Sequence, residues 1–127
     1  MKDTRFITGR LQSFKYAFTG ARKLLLTEHS IMVQAFIAVC TVIAGFYFNI
    51  SVVEWMIQIL ATGMVLGIEG LNTAIEKICD FIHPDYHERI GFVKDIAAGS
   101  VVFVSLAALV IGILIYYPKV LTVFTAL

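Results

Sequence analysis

Apolar side chains recur at Ile7, Leu11, Phe14, Phe18, Ala21 and Leu25, steps of three and four that repeat on one face of a helix. The spacing predicts an amphipathic helix over about residues 5–27. Arg10, Lys15 and Arg22 flank that stripe, while Gln12, Ser13, Tyr16, Thr19 and Lys23 fill the far side. Such a helix lies in a bilayer surface, its cationic heads reaching for anionic lipid phosphates. Beyond it the polar positions almost vanish. Three runs follow, about 31–50, 52–71 and 96–117, each near the roughly 20 residues that cross a hydrocarbon core. Asn49 and Ser51 leave only a tight turn between the first two.

Composition supports a membrane setting. The chain has 127 residues, 59% hydrophobic and 15% charged, with a mean hydropathy of +0.87, whereas soluble domains average about 45–50% apolar and 25% charged. The expected fold class is therefore all-α integral membrane: a surface helix and three spans in a single domain covering residues 1–127. No small-residue cleavage site follows a short apolar run, so the N-terminal segment does not read as a signal peptide. Cys40 and Cys79 lie far apart without the spacing of a disulfide framework or zinc site.

The net charge of +1 says little, but its distribution is informative. Lys2, Arg5, Arg10, Lys15, Arg22 and Lys23 precede the first span, and Lys77, Arg89 and Lys94 lie between the second and third. The tight turn has no cation and the C-terminal tail only Lys119. The positive-inside rule then puts the N-terminus and the 77–95 connection in the cytoplasm. Trp55, Tyr116 and Tyr117 fall where an outer aromatic belt belongs.

The second span carries the chemistry. Glu69, Asn72, Thr73, Glu76 and Asp80 share one helix face about 100° wide, and Leu71, Ile75 and Ile78 point the other way. Glu69 stands 17 residues past Val52, about 26 Å along a helix, which is the inner lip of the hydrocarbon. Ionisable groups there are costly and mark function. Glu76 lies roughly 10 Å further out, and the helix is expected to extend to about residue 81 before Pro84 ends it. The face thus runs from lipid to cytosol. A second stripe, Gly63, Gly67, Gly70 and Ala74, and a cluster at Ala97–Ser100 would let helices approach closely.

Several carboxylates, an asparagine and a lysine at a membrane–water boundary suit phosphoryl transfer. Carboxylates hold magnesium against nucleotide phosphates, a lysine offsets charge, and one carboxylate takes a hydroxyl proton. Neither a GxxxxGK[ST] loop nor a kinase glycine loop is present. His83 and His87 are four apart, but Pro84 breaks the geometry a helical metal pair needs. They read as solvated loop residues or nucleotide contacts.

The pattern Glu69-x-x-Asn72-Thr73-Ala74-Ile75-Glu76-x-x-x-Asp80, followed by Tyr86-His87 and Lys94-Asp95, resembles the small prokaryotic lipid kinases of the diacylglycerol and undecaprenol kinase family. Ser13 to Ala17, Gly20 and Glu28 resemble its N-terminal segment, and the likeness spans roughly Arg10 to Tyr117. It implies a homotrimer in the bacterial inner membrane. Glu69 would be the general base on the lipid hydroxyl, and Glu28 and Glu76 would hold the Mg2+ bridging ATP. Arg10, Tyr16, Asp85, Tyr86, His87, Lys94 and Asp95 would contact the nucleotide, with Asn72 and Asp80 as supporting polar residues. Lys94 to Gly99 looks more like the undecaprenol branch than the diacylglycerol one. No nucleic-acid partner is expected.

A different class, a small transporter or channel subunit, would use intramembrane carboxylates for ions or protons. It predicts charges near the midplane and an internal repeat, and the sequence has neither. In one chain the acidic face would look into lipid unless another helix covered it. A ring of identical subunits sharing sites, Glu76 of one facing Lys94 and Asp95 of the next, is the expected solution.

Overall fold

The computed structural model describes residues 2–126 as four helices: α1 (Lys2–Thr27), α2 (His29–Tyr47), α3 (Val52–Ile82) and α4 (Glu88–Thr125). The last three are each long and apolar enough to cross a membrane. Of the inter-helix contacts, those between α3 and α4 are the most extensive. Large apolar side chains are exposed along every helix, from Phe18 at 74% to Phe103 at 78%. In water such a surface would aggregate, so these helices need lipid or further protein around them.

A single residue separates α1 from α2. Glu28 is extended (φ −105°, ψ 113°), yet its N–H still bonds Leu24 O at 3.1 Å and its carbonyl accepts from Met32 N–H at 3.0 Å. Upstream of Leu24, the described side chains of α1 are exposed on all sides.

The turn between α2 and α3 begins earlier than the apolar run implies, because α2 stops at Tyr47. Asn49 takes a left-handed conformation (φ 51°), which asparagine tolerates better than most residues. Ser51 then starts α3 with a full capping box: its hydroxyl accepts from Glu54 N–H at 3.2 Å, and Glu54 Oε2 accepts from Ser51 N–H at 2.8 Å. Gly45 makes this hairpin possible, since a methyl group there would collide with the Trp55 ring.

The fourth helix exceeds the expected third span at both ends. At its start His87 Nδ1 accepts from Arg89 N–H at 3.2 Å, and Glu88 stands in the first turn, where its charge suits the helix dipole. Residues 88–95, charged at Glu88, Arg89, Lys94 and Asp95, therefore continue the helix outward, and only 83–87 form the loop. At the other end α4 runs through Pro118. The proline forfeits one backbone bond to the turn before it, but continuation keeps the following groups paired.

Tyr116 behaves differently from an aromatic-belt residue. Its hydroxyl donates to Gln58 Oε1 and lies 3.0 Å from Thr41 O, while Gln58 Nε2 donates to that carbonyl at 3.1 Å. Gln58 is only 6% exposed, so the trio ties α2, α3 and α4 together through polar groups in an apolar setting. Tyr116→Phe leaves Gln58 Oε1 short of a donor. It is expected to cost about 0.5–2 kcal/mol, read as a lower thermal midpoint in detergent micelles.

Candidate active site

The buried positions of α3 are Gln58, Val65, Glu69, Asn72, Thr73 and Cys79, and they share the helix side that the polar residues occupy. Periodicity gives relative angles only; the structure shows that this polar side is the inward one. Glu69 and Asn72 are each 8% exposed and Thr73 is 6%, while Leu71 and Ile78 face outward. The single chain thus covers Glu69, Asn72 and Thr73 without a second subunit. Further along the same face Glu76 is half-buried and Asp80 exposed, a graded passage from apolar interior to water.

The hydrogen bonds on this face are incomplete. Asn72 Nδ2 donates to Glu76 Oε1 at 3.2 Å, which orients that carboxylate. Asn72 Oδ1 is buried with no hydrogen-bond partner among the described residues, a state that costs about 1–3 kcal/mol. The Glu69 carboxylate likewise makes no hydrogen bond or ion pair among the described residues. Buried polar groups are ordinarily hydrogen-bonded, which sets Asn72 Oδ1 apart from the rest of the interior.

Glu28 joins this region from the α1–α2 corner. Leu24 packs against Gly70, and Lys77 Nζ lies 2.9 Å from Glu28 Oε1, which also accepts from the Thr27 hydroxyl at 3.1 Å. The Lys77 hydrogen bond, helped by that of Thr27, holds the Glu28 carboxyl below the ordinary glutamate range. A depressed carboxylate stabilises the fold above that range and loses the contribution as pH falls through it. Glu28 is therefore ionised at neutral pH.

Further out on the same polar face of α3, Lys94 Nζ meets Asp80 Oδ1 at 2.9 Å. In the loop, His83 Nδ1 lies 2.8 Å from Asp85 O, and the His83 and His87 rings pack edge to face at 5.1 Å. Tyr86 is 88% exposed and lines a surface recess with Glu88, Arg89, Phe92 and Asp95. Arg10 lies over the Phe6 ring and Tyr16 accepts from Gln12 Nε2 at 3.1 Å, both on exposed α1. Tyr16 precedes Glu28 by 12 residues, about 18 Å along a helix. One chain therefore sets Glu69, Asn72 and Glu76 on one face of α3, ties Glu28 to the same helix through Lys77, and pairs Asp80 with Lys94. Among the described residues, no hydrogen bond or ion pair links Arg10, Tyr16, Tyr86 or Asp95 to that group.

Two features escape the sequence pattern. Lys77 lies about 80° around the helix from Glu69, off the polar face, so spacing gives it no role. The Gln58–Tyr116 contact joins residues 58 apart in sequence, and no local signal announces it.

The donors suit a hard divalent cation. Among the described residues no cluster of three or more His, Cys, Asp or Glu could hold a metal. Magnesium, however, is commonly held by one or two carboxylates plus substrate phosphates. Glu76, steered by Asn72, and Glu28, already facing a cationic amine, fit that pattern.

The family profile for prokaryotic diacylglycerol kinase matches residues 15–116. The chain belongs to this family. It is 37% identical over 119 residues to the undecaprenol kinase of Bacillus subtilis, covering 93% of this chain and 97% of that one. It is 28% identical over 113 residues to the diacylglycerol kinase of Haemophilus influenzae, covering 89% and 93% of the two chains. Against the diacylglycerol kinase of Escherichia coli K12 the figures are 23% over 108 residues, 85% and 88%. With three apolar helices and this family membership, the protein is a multi-pass membrane lipid kinase.

Proposed function

We propose that the protein transfers the γ-phosphate of ATP to the hydroxyl of a membrane lipid, undecaprenol in preference to diacylglycerol, at the cytoplasmic face of a bacterial inner membrane. The observation that carries this reading is the buried, unpartnered Glu69 at the inner end of a polar face that opens to water at Glu76. An apolar cleft of about 690 Å³ between α2, α3 and α4 reaches Val65 and Leu66, one turn from Glu69. A lipid tail in that cleft would bring its alcohol to Glu69 while the nucleotide stays in water.

In this reading Glu69 takes the hydroxyl proton as the lipid oxygen bonds to the γ-phosphorus of ATP, whose bond to the β–γ bridging oxygen breaks to release ADP. Asn72 positions Glu76 through the Nδ2 hydrogen bond to its carboxylate. Glu28 and Glu76 would hold Mg2+, which when bound neutralises phosphate charge. Lys94 and Asp95, with Arg10, Tyr16, Asp85, Tyr86 and His87, would engage the nucleotide, and Asp80 would keep Lys94 in place. The amphipathic α1 would lie on the inner membrane surface. Gly63 and Gly67, with no atom within 4 Å of where a methyl group would stand, leave room for a neighbouring subunit of a homotrimer.

The preference for undecaprenol rests on the greater similarity to the Bacillus subtilis undecaprenol kinase and on the Lys94–Gly99 stretch. It is tested with γ-labelled ATP and micelles holding a long polyprenol and diacylglycerol together. Label is expected mainly in polyprenyl phosphate. Label mainly in phosphatidic acid would overturn the acceptor but not the kinase, and label in neither lipid would overturn both.

A further inference from the structure

We propose that Lys77 is a built-in competitor for the cation position on Glu28, holding that carboxylate in the nucleotide-free state and leaving it when a divalent cation arrives. This rests on the reading of Glu28 as a metal ligand. Lys77 Nζ is 2.9 Å from Glu28 Oε1, and the Thr27 hydroxyl donates to the same oxygen at 3.1 Å. The ammonium therefore occupies the solvent side of that oxygen, where a cation would approach it. A divalent cation drawn to the same carboxylate would lie within a few ångströms of the ammonium, and like charges so close repel.

The pair is built to open. The Lys77 side chain is 66% exposed and that of Glu28 21%, so the amine comes to the carboxylate from the solvent side. Exposed pairs of this kind are weak, and a lysine head on a four-carbon stem can swing away without moving its helix. Lys77 also follows Glu76 directly in the chain. The same helical turn therefore supplies one ligand and the competitor for the other. Occupying Glu28 keeps its charge neutralised without metal, and the occupant raises the cation concentration needed to load the site.

The test is a four-protein cycle on the full chain in micelles: wild type, Lys77→Met, Glu28→Gln and the double variant. Mn2+ binding is followed by the electron paramagnetic resonance of free Mn2+, at a fixed concentration of a non-transferable ATP analogue. Lys77→Met is expected to tighten Mn2+ binding about 1.5- to 5-fold, and Glu28→Gln to weaken it. In the Glu28→Gln background the lysine change should have no further effect, because there is nothing left to compete for. Lys77→Gln, a second neutral variant, should match Lys77→Met. If Lys77→Met does not tighten binding while Glu28→Gln weakens it, the competitor role is overturned and the ligand role of Glu28 stands. Equal tightening in both backgrounds would reveal only a general field effect and overturns it too. Unchanged binding in Glu28→Gln alone removes Glu28 as a ligand, and the proposal with it.

Discussion

Glu69→Gln abolishes lipid phosphorylation while leaving the fold and nucleotide binding in place. Glutamine keeps the size and shape of the side chain, and the site is 8% exposed without a hydrogen-bond partner among the described residues. No existing ion pair or hydrogen bond is broken by the change. What disappears is the ability to accept a proton. Removal of a general base lowers turnover typically by about 10²–10⁴-fold, and here no other carboxylate on the buried part of the face can substitute. Glu76 is already committed to Asn72 and lies about 10 Å further along the helix. Turnover measured with saturating lipid and ATP checks the loss, and binding of a fluorescent ATP analogue checks that the nucleotide site survives. Activity within about tenfold of wild type removes Glu69 from the base role.

Part of this site is visible in the sequence, for a definite reason. Helical periodicity reports which residues share a face, so spacing alone groups Glu69, Asn72, Thr73, Glu76 and Asp80. It does not report which way the face points. By spacing, an acidic stripe at the end of an apolar span looks into lipid until another subunit covers it. Burial of Glu69, Asn72 and Thr73 within one chain answers that question differently. The extent of α4 is obscured for another reason: residues 88–95 are too charged to count as part of a span, yet nothing in charge forbids a helix once it has left the hydrocarbon. Tertiary pairings are the least legible. Lys77 with Glu28 and Gln58 with Tyr116 depend on how separate helices come together, and spacing along one helix contains no trace of them.

Mixing two inactive variants, Glu76→Ala and Asp95→Asn, restores about a quarter of wild-type activity if each site is shared between subunits. The geometry of one chain motivates the test. Lys94 turns toward Asp80 on its own α3, but its neighbour Asp95 opens into a surface recess beside Tyr86, with no hydrogen bond or ion pair to Glu76 among the described residues. Gly63 and Gly67 are open and outward-facing, a surface on which a second chain can pack closely. If Asp95 serves the Glu76 of the adjacent subunit, each variant alone has every site broken. A mixed ring differs. A site is intact when one subunit brings a native Glu76 and the next a native Asp95, which equal random assortment provides with odds of one half times one half, about a quarter, in any cyclic oligomer. The variants are unfolded together and apart, refolded into micelles and assayed for transfer of labelled phosphate. Mixing after separate refolding controls for exchange between assembled rings. No recovery in the co-refolded sample means that every subunit carries a complete site, and Asp95 must then reach the nucleotide from its own chain.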